Sequence, residues 1–188
     1  MSATPPAGST SRLVATGPVP ASVMVFGESP LRARRTLGPR PDPGELLLRR
    51  ALADVGIEPA AVRFTSAVKP GVAQADQAGP ASWVAPLVAE VRRVRPCVLV
   101  LLGPSTGRTM LGARYAPRRQ RGLLLPAPSG FGFEGAPQVL VTAHPSSVHR
   151  SRHRTFAYTA MVRDLRAAAC LLLPGALAPT GDEGVWPR

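Results

Sequence analysis

Four short apolar runs lie along this chain, separated by longer segments in which apolar side chains recur at helical spacing. The runs are SVMVFGES (22–29), VRFTSAV (62–68), CVLVLLG (97–103) and QVLVTAHP (138–145). The first and third are continuously apolar, which favours strands buried on both faces of a sheet. The pattern therefore predicts four strands.

Four segments between and after these runs carry the spacing of helices: 43–57, 81–95, 104–112 and 154–173. In segment 43–57, the apolar side chains lie on one broad face of the predicted helix, and Gly56 is a suitable residue to end it. Pro86 in the second must lie near the first turns of the helix or kink it. Alternating strands and helices predict parallel β-α-β units with right-handed crossovers, and hence an α/β fold.

The two ends of the chain have a different composition. Residues 1–20 are rich in Pro, Ser, Thr and Gly, and 174–188 have a similar character. We expect a disordered tail at 1–20, one folded domain at 21–173 and a flexible C-terminal tail at 174–188. No apolar run approaches the roughly 20 residues of a membrane span, and no signal-peptide core is evident, so no membrane association is expected.

The chain has 188 residues, a net charge of +12 and a pI near 11.6, so a polyanionic partner is plausible. Biased codon usage offers another explanation, because Lys69 is the only lysine among 23 basic residues. The two cysteines, Cys97 and Cys170, form no CxxC pair, which excludes a four-cysteine metal site within this chain. We expect both to be core thiols of a cytoplasmic protein with no cofactor and no metal.

The segments GESP, TSAVKP, GPSTG and HPSSVHR each follow a predicted strand, so they should meet at one edge of the sheet. Glu28 in GESP is a candidate general base, or else a capping or salt-bridged carboxylate. The segment GPSTGR can cradle phosphate on its N–H groups, although a plain helix start capped by Ser105 or Thr106 is the simpler interpretation.

The segment HPSSVHR carries the most specific pattern. His144 at a strand end can donate to a carbonyl oxygen and stabilise charge developing on it, or it is an ordinary loop histidine. Ser146 and Ser147 can bind phosphate. Val148 or His149 can act as a wedge in a base stack.

These motifs, in this order, resemble the uracil-DNA glycosylase superfamily from about Val23 to Leu165. The similarity is to its iron–sulfur branch and the covalent uracil-binding relatives of that branch. The segments that carry it are VMVFGESP, PGELLLRRALADVGI, RFTSAVKP, RPCVLVLLGPSTGRTMLG, RGLLLP and VLVTAHPSSVHR. The resemblance implies a three-layer α/β/α sandwich with a central four-stranded parallel sheet, and a monomer that acts on DNA.

The resemblance also implies a mechanism and a set of site residues. A base is flipped out of the duplex, Glu28 positions water, and His144 stabilises the departing base. Main-chain groups of Gly27 and Ser29, with Ser66, line the base pocket. The DNA contacts implied are Lys69, Ser146, Ser147, Val148, His149 and Arg150, with Arg152 and Arg154 on phosphates or simply beginning the last helix.

Several positions depart from the family pattern. The cluster cysteines are missing, and Trp83 is expected to fill the core where one would fall. Ser66 replaces the Asn that reads the base, which weakens base selection. Pro41 lies near the position of an aromatic base floor, and 69–82 contain no nucleophilic His, so covalent capture of uracil is not expected.

Three hypotheses remain open from the sequence. The first is an active glycosylase for uracil or another deaminated base, in base excision repair. The second is a catalytically degenerate DNA-binding protein of the same fold. The third is a different α/β domain that binds a nucleotide or sugar phosphate, against which the lack of Gly-rich phosphate loops counts.

Overall fold

The computed structural model of the chain describes residues 13–28, 42–67, 83–128, 131 and 136–173. The strands are β1 (Val14–Thr16), β2 (Val23–Gly27), β3 (Arg63–Ser66), β4 (Val98–Leu102), β5 (Leu124–Pro126) and β6 (Gln138–Thr142). The helices are α1 (Pro43–Asp54), α2 (Val84–Val94), α3 (Pro104–Leu111), α4 (Pro117–Gln120), α5 (Pro145–Arg150) and α6 (Arg154–Leu172), with a 3-10 turn at Pro59–Ala61.

The strands form one sheet in the order β1-β3-β2-β4-β6-β5. The four strands expected from the sequence, β2, β3, β4 and β6, are its centre and pair in parallel. The sheet nevertheless has two more strands than the four expected, because β1 and β5 pair in antiparallel orientation at its two edges. Each of these has three residues, too few to produce a periodic pattern.

Strand β1 also corrects the expected domain boundary. Val14–Thr16 belongs to the segment 1–20 that was expected to be a disordered tail, yet it pairs with β3. The folded domain therefore begins before residue 21. The remaining expectations for the two tails concern residues 1–12 and 174–188, which lie outside the described residues.

Two apolar cores lie on opposite faces of the sheet, so the molecule has three layers. On one face, Val25 and Val100 pack with the buried residues of α1 and α6, such as Leu48 and Leu165. On the other face, Phe26 and its neighbours pack against α2 and α3. Alternate residues of the central strands therefore point into different cores, which explains their continuous apolar character.

Local sequence explains where the main helices begin and end. The Asp42 side chain caps α1 by accepting from the N–H groups of Gly44, at 2.7 Å, and Glu45, at 3.1 Å. Gly56 follows the helix with φ of +81°, as expected for a stop. Pro86 lies in the first turn of α2, where the missing N–H has no intrahelical partner to lose.

Trp83 is a core residue, as the sequence predicted. It is 4% exposed, and its ring lies 4.7 Å from that of Phe26 at an interplanar angle of 41°.

The expectation for the cysteines was wrong, because the side chains of Cys97 and Cys170 are both exposed. Among the described residues, no group of three His, Cys, Asp or Glu side chains is placed to hold a metal ion. None of the described helices has the length and hydropathy to cross a membrane.

Candidate active site

The carboxyl ends of the four parallel strands are level with one another. Gly27 at the end of β2 is paired in register with Ser66 of β3 and with Leu102 of β4. Leu102 is in turn paired with Thr142 of β6. The residues that follow these strands therefore emerge in one row, which confirms, for the described residues, the expectation that the four motifs begin at one edge.

Glu28 follows β2 and is half-buried at this edge. The Ser105 hydroxyl donates to its carboxylate, with Oγ 3.3 Å from Oε1 and 3.2 Å from Oε2. Ser105 lies in the first turn of α3, so GPSTG contributes a side chain that holds Glu28. The capping residue of α3 is Gly103, without a side-chain bond. The Thr106 hydroxyl instead donates to the Leu102 carbonyl at 2.9 Å, so the simpler interpretation of Ser105 or Thr106 as caps was wrong.

His144 is the capping residue of α5. Its Nδ1 accepts a hydrogen bond from the Ser146 N–H at 3.2 Å. A neutral imidazole that accepts at one nitrogen carries its proton on the other, so Nε2 is the donor. Burial lowers the pKa of His144 and the positive charge of Arg150 adds to this, while Asp42 opposes both. The fold therefore favours a neutral ring whose Nε2–H is available as a donor.

Gly103 connects the two halves of the site. Its N–H donates to the Thr142 carbonyl at 2.9 Å, and a Cβ at this position would lie 3.6 Å from the His144 Cβ. Two residues further on, Ser105 bonds Glu28. The chain from β4 into α3 therefore runs between the carboxylate and the histidine.

Helix α1 approaches the same site through a contact that sequence reasoning missed. A Cβ on Gly44 would lie 2.8 Å from Oδ1 of Asp42 and 3.2 Å from both N and Oγ of Ser146. Glycine is therefore required for the N-termini of α1 and α5 to meet. This contact brings the Asp42 carboxylate near His144, and the only advance signal was the Asp-Pro-Gly start of α1.

The segment expected to be a DNA-binding loop is instead a short helix, α5. Val148 is 2% exposed and belongs to the core beneath α1 and α6. Its burial corrects the prediction of a wedge at this residue. Ser146 and His149 are half-buried, and Ser147 and Arg150 are exposed.

The basic side chains after α5 lie at the start of α6. Arg152, His153 and Arg154 are exposed, and Arg154 is the first residue of the helix. The Arg154 Nε donates to the His149 carbonyl at 3.0 Å, which joins the start of α6 to the end of α5. The expectation that this run begins the last helix is confirmed for Arg154.

The Arg-Gly segment has a structural role that the sequence did not indicate. Oδ2 of the buried Asp164 accepts from Arg121 Nε and from the Thr142 hydroxyl, each at 2.6 Å. A Cβ on Gly122, which has φ of +77°, would lie 2.6 Å from Oδ1 of Asp164. This network fixes the start of β5 against β6 and α6 beside the site.

The remaining predicted residues divide into two groups. Gly27 and Ser66 are adjacent and buried at the strand edge, where the Ala67 N–H donates to the Gly27 carbonyl at 3.2 Å. Ser29, Pro41 and Lys69 lie outside the described residues. The structure thus places Glu28 and Ser66 at the ends of the neighbouring strands β2 and β3, whereas His144 follows β6, which β4 separates from β2.

A cavity of about 420 Å³ opens at the opposite edge of the sheet. Its lining includes Val23 at the start of β2 and Ile57 after α1, together with Arg166 and Leu172 near the end of α6. Because these residues surround the amino ends of the strands, the cavity is separate from the edge that holds Glu28 and His144.

Open α/β sheets bind their ligands beyond the carboxyl ends of the strands, and this three-layer α/β fold has a carboxylate and a histidine at that edge. Residues 14–166 match the family model of the uracil DNA glycosylase superfamily, and the chain belongs to that superfamily. The match begins at the first residue of β1, in agreement with the corrected boundary. Members of this superfamily are generally DNA glycosylases. No curated protein matches the chain.

Proposed function

We propose that this protein is a DNA N-glycosylase that removes uracil or another deaminated base during base excision repair. One observation carries the proposal: a neutral His144 with its proton on Nε2 shares one sheet edge with Glu28. In this proposal the working form is a cytoplasmic monomer that acts on DNA without a cofactor.

The reaction requires that the target nucleotide leave the base stack, because the glycosidic bond is inaccessible inside it. The bond between C1′ and the base nitrogen breaks, and its electron pair leaves with the base. The oxygen of a water molecule forms the new bond to C1′. The developing charges are therefore positive on the sugar and negative on the base.

Glu28 and His144 address these two charges. The Glu28 carboxylate orients the water, accepts one of its protons and offsets the positive sugar. The Nε2–H of His144 donates to the O2 oxygen of the departing base, where negative charge accumulates. The Ser105 hydroxyl holds the Glu28 carboxylate in place for this role.

The base pocket is proposed to consist of the main chain at Gly27 and Ser29 with the hydroxyl of Ser66. A hydroxyl is too short to pair with two adjacent polar groups of a base, as an amide does, so discrimination between bases is weaker. We therefore propose a substrate range that includes more than one deaminated base.

The proposed DNA contacts surround α5. Ser146, Ser147 and His149 lie on the helix that His144 caps, and Arg150 is exposed at its end. Together with Lys69 they would bind phosphates and position the strand. Val148 is excluded from this set because its side chain is in the core.

The test is release of base from oligonucleotides that contain one uracil or one hypoxanthine, followed by alkaline cleavage at the abasic site. Wild type should produce the cleaved strand, and Glu28→Gln and His144→Ala should each reduce its rate by at least about 100-fold. Glu58→Gln is the matched control, because Glu58 is exposed before β3 at the opposite edge. Absence of cleavage by wild type, or cleavage by both variants at the wild-type rate, would contradict the proposal.

A second candidate is a DNA-binding protein of this fold that has lost base release. The observation that favours it is Ser66, which is 7% exposed and too short to pair with a base as an amide does. This candidate predicts salt-sensitive binding of DNA without an abasic product. Detection of the abasic product excludes it.

A further inference from the structure

Phe156 is the most exposed large apolar side chain among the described residues, at 78%. It lies in the first turn of α6, where its exposed ring does not gain the free energy that burial of an apolar side chain provides. Isolated apolar residues on a surface are common, so exposure alone identifies nothing. The surroundings of this phenylalanine distinguish it.

The first turn of α6 lies beside the candidate active site. Arg154 bonds the carbonyl of His149 on α5, and α5 is capped by His144. Phe156 follows Arg154 by two residues. The exposed ring is therefore carried by the same group of elements that holds the catalytic histidine.

The start of α6 precedes the residue that bonds the end of β6. Asp164 bonds Thr142, the last residue of β6, and so marks the level of the strand ends. Arg154 precedes Asp164 by ten residues, which corresponds to about 15 Å of helix. Phe156 lies on this part of α6, eight residues before Asp164, and Tyr158 nearby donates to Oδ2 of Asp54 at the end of α1 at 2.7 Å.

The charged residues near Phe156 in the sequence are all cationic, and the Asp54 carboxylate of α1 lies against Tyr158, two residues further along α6. Arg150, Arg152 and Arg154 are exposed, and residues 145–163 contain no Asp or Glu. Cations at the start of a helix oppose its dipole, so helix stability does not account for them. A second copy of this surface would repel it, whereas a polyanion would neutralise it.

An aromatic ring among cations is the arrangement that binds single-stranded nucleic acid, with bases on the ring and phosphates on the arginines. A base paired inside a duplex presents no face to such a ring, whereas an unpaired base does. The positive charge and the exposed ring face together therefore favour DNA with unpaired bases over regular duplex.

We propose that Phe156 stacks on an unpaired base of the DNA strand while Arg150 and Arg154 hold the adjacent phosphates. This inference deepens the proposed function and rests on it, because it assigns a strand preference to the same site. The consequence is preferential action on single-stranded or locally opened DNA.

The experiment measures binding of a fluorescent, undamaged single-stranded oligonucleotide and of a hairpin duplex with matched sequence. Phe156→Ala should weaken single-strand binding about tenfold and duplex binding by less than about twofold. Phe156→Tyr keeps a ring and should bind as wild type, and Phe156→Leu keeps apolar area without a ring and should bind weakly. Leu173→Ala is the matched control, since Leu173 is 63% exposed at the other end of α6.

Wild-type affinity of Phe156→Ala for the single strand would overturn the proposal, as would wild-type affinity of Phe156→Leu. Sedimentation provides a further criterion: self-association of wild type that Phe156→Ala abolishes would assign the ring to a contact between copies. Because the oligonucleotides contain no damaged base, this result does not depend on base release. The binding experiment can therefore contradict the stacking proposal while base release is observed. Equally, base release can be absent while the stacking proposal holds.

Discussion

The Ser105 hydroxyl lies 3.3 Å from Oε1 and 3.2 Å from Oε2 of Glu28, so one donor spans both oxygens of the carboxylate. The two residues are 77 positions apart in the chain. Their contact joins the end of β2 to the first turn of α3. It gives the segment GPSTG a function in positioning the proposed general base.

Replacement of Ser105 by alanine removes this donor and should lower kcat for base release by about tenfold, because one hydrogen bond to a charged group is lost. KM should change little, since Ser105 does not contact the substrate in the proposed mechanism. Ser105→Thr keeps the hydroxyl and should retain most of the rate. Ser22→Ala, at the opposite sheet edge, is the control. A rise in KM with kcat unchanged would assign Ser105 to binding instead.

The lowered pKa of His144 predicts that stability falls in mild acid. Its folded-state pKa lies below the ordinary value of 6.5, because burial and Arg150 disfavour the charged ring. As pH falls through 6.5, the unfolded chain takes up the proton first. The contribution of neutral His144 to the free energy of unfolding is therefore full above about pH 6.5, and it is lost as the pH falls toward the folded-state pKa. Urea denaturation at several pH values measures this slope.

His144→Asn should remove this part of the slope, since asparagine does not titrate and still accepts the Ser146 N–H as a cap. His153→Gln, at an exposed position, is the control. An identical slope in wild type and His144→Asn would show that other groups produce it.

Two neighbouring charges should move the His144 pKa in opposite directions. Arg150→Ala removes a cation that lowers it, so the pKa should rise. Asp42→Asn removes an anion that raises it and keeps the cap of α1, so the pKa should fall. Ring proton shifts followed by NMR during titration measure both changes. Shifts in the same direction would contradict the arrangement of these charges around the ring.

Gly122 and Gly112 form a matched pair for testing the Arg121–Asp164 network. Both have positive φ, +77° and +82°, so alanine costs about 1 kcal/mol at either position through backbone strain. At Gly112 the added methyl meets nothing, whereas at Gly122 it would meet Asp164 at 2.6 Å. Gly122→Ala should therefore lower the free energy of unfolding by about 1–3 kcal/mol more than Gly112→Ala. Equal losses would mean that the neighbours shift at little cost.

Substitutions of Val148 and Arg150, which are two residues apart, should affect different properties: the first stability, and the second DNA binding. Val148→Ala removes buried methyl groups and should lower the free energy of unfolding by about 1–2 kcal/mol. Arg150→Ala should leave stability within about 0.5 kcal/mol and weaken DNA binding, with a smaller dependence on salt. Denaturation and binding titrations at two salt concentrations distinguish these results. A binding defect in Val148→Ala at full stability would restore the wedge hypothesis.

The sequence predicted the central fold because each parallel strand is a continuous apolar run and each long helix has an apolar stripe. The same patterns located Glu28 and His144, since a residue that follows a buried parallel strand must emerge at the carboxyl edge. Strands β1 and β5 and helices α4 and α5 were missed, because three to six residues do not establish a period.

The sequence by itself therefore determined the order of strands and helices, the family resemblance and the edge at which the chemistry is proposed. Only the tertiary structure decided what each side chain there does. It buried Val148, exposed both cysteines, directed the proton of His144 to Nε2 and placed Ser105 on Glu28. The physical reason is that side-chain burial depends on packing between elements distant in the chain, which local patterns do not encode. The contact of Arg121 with Asp164, across 43 residues, is another such case.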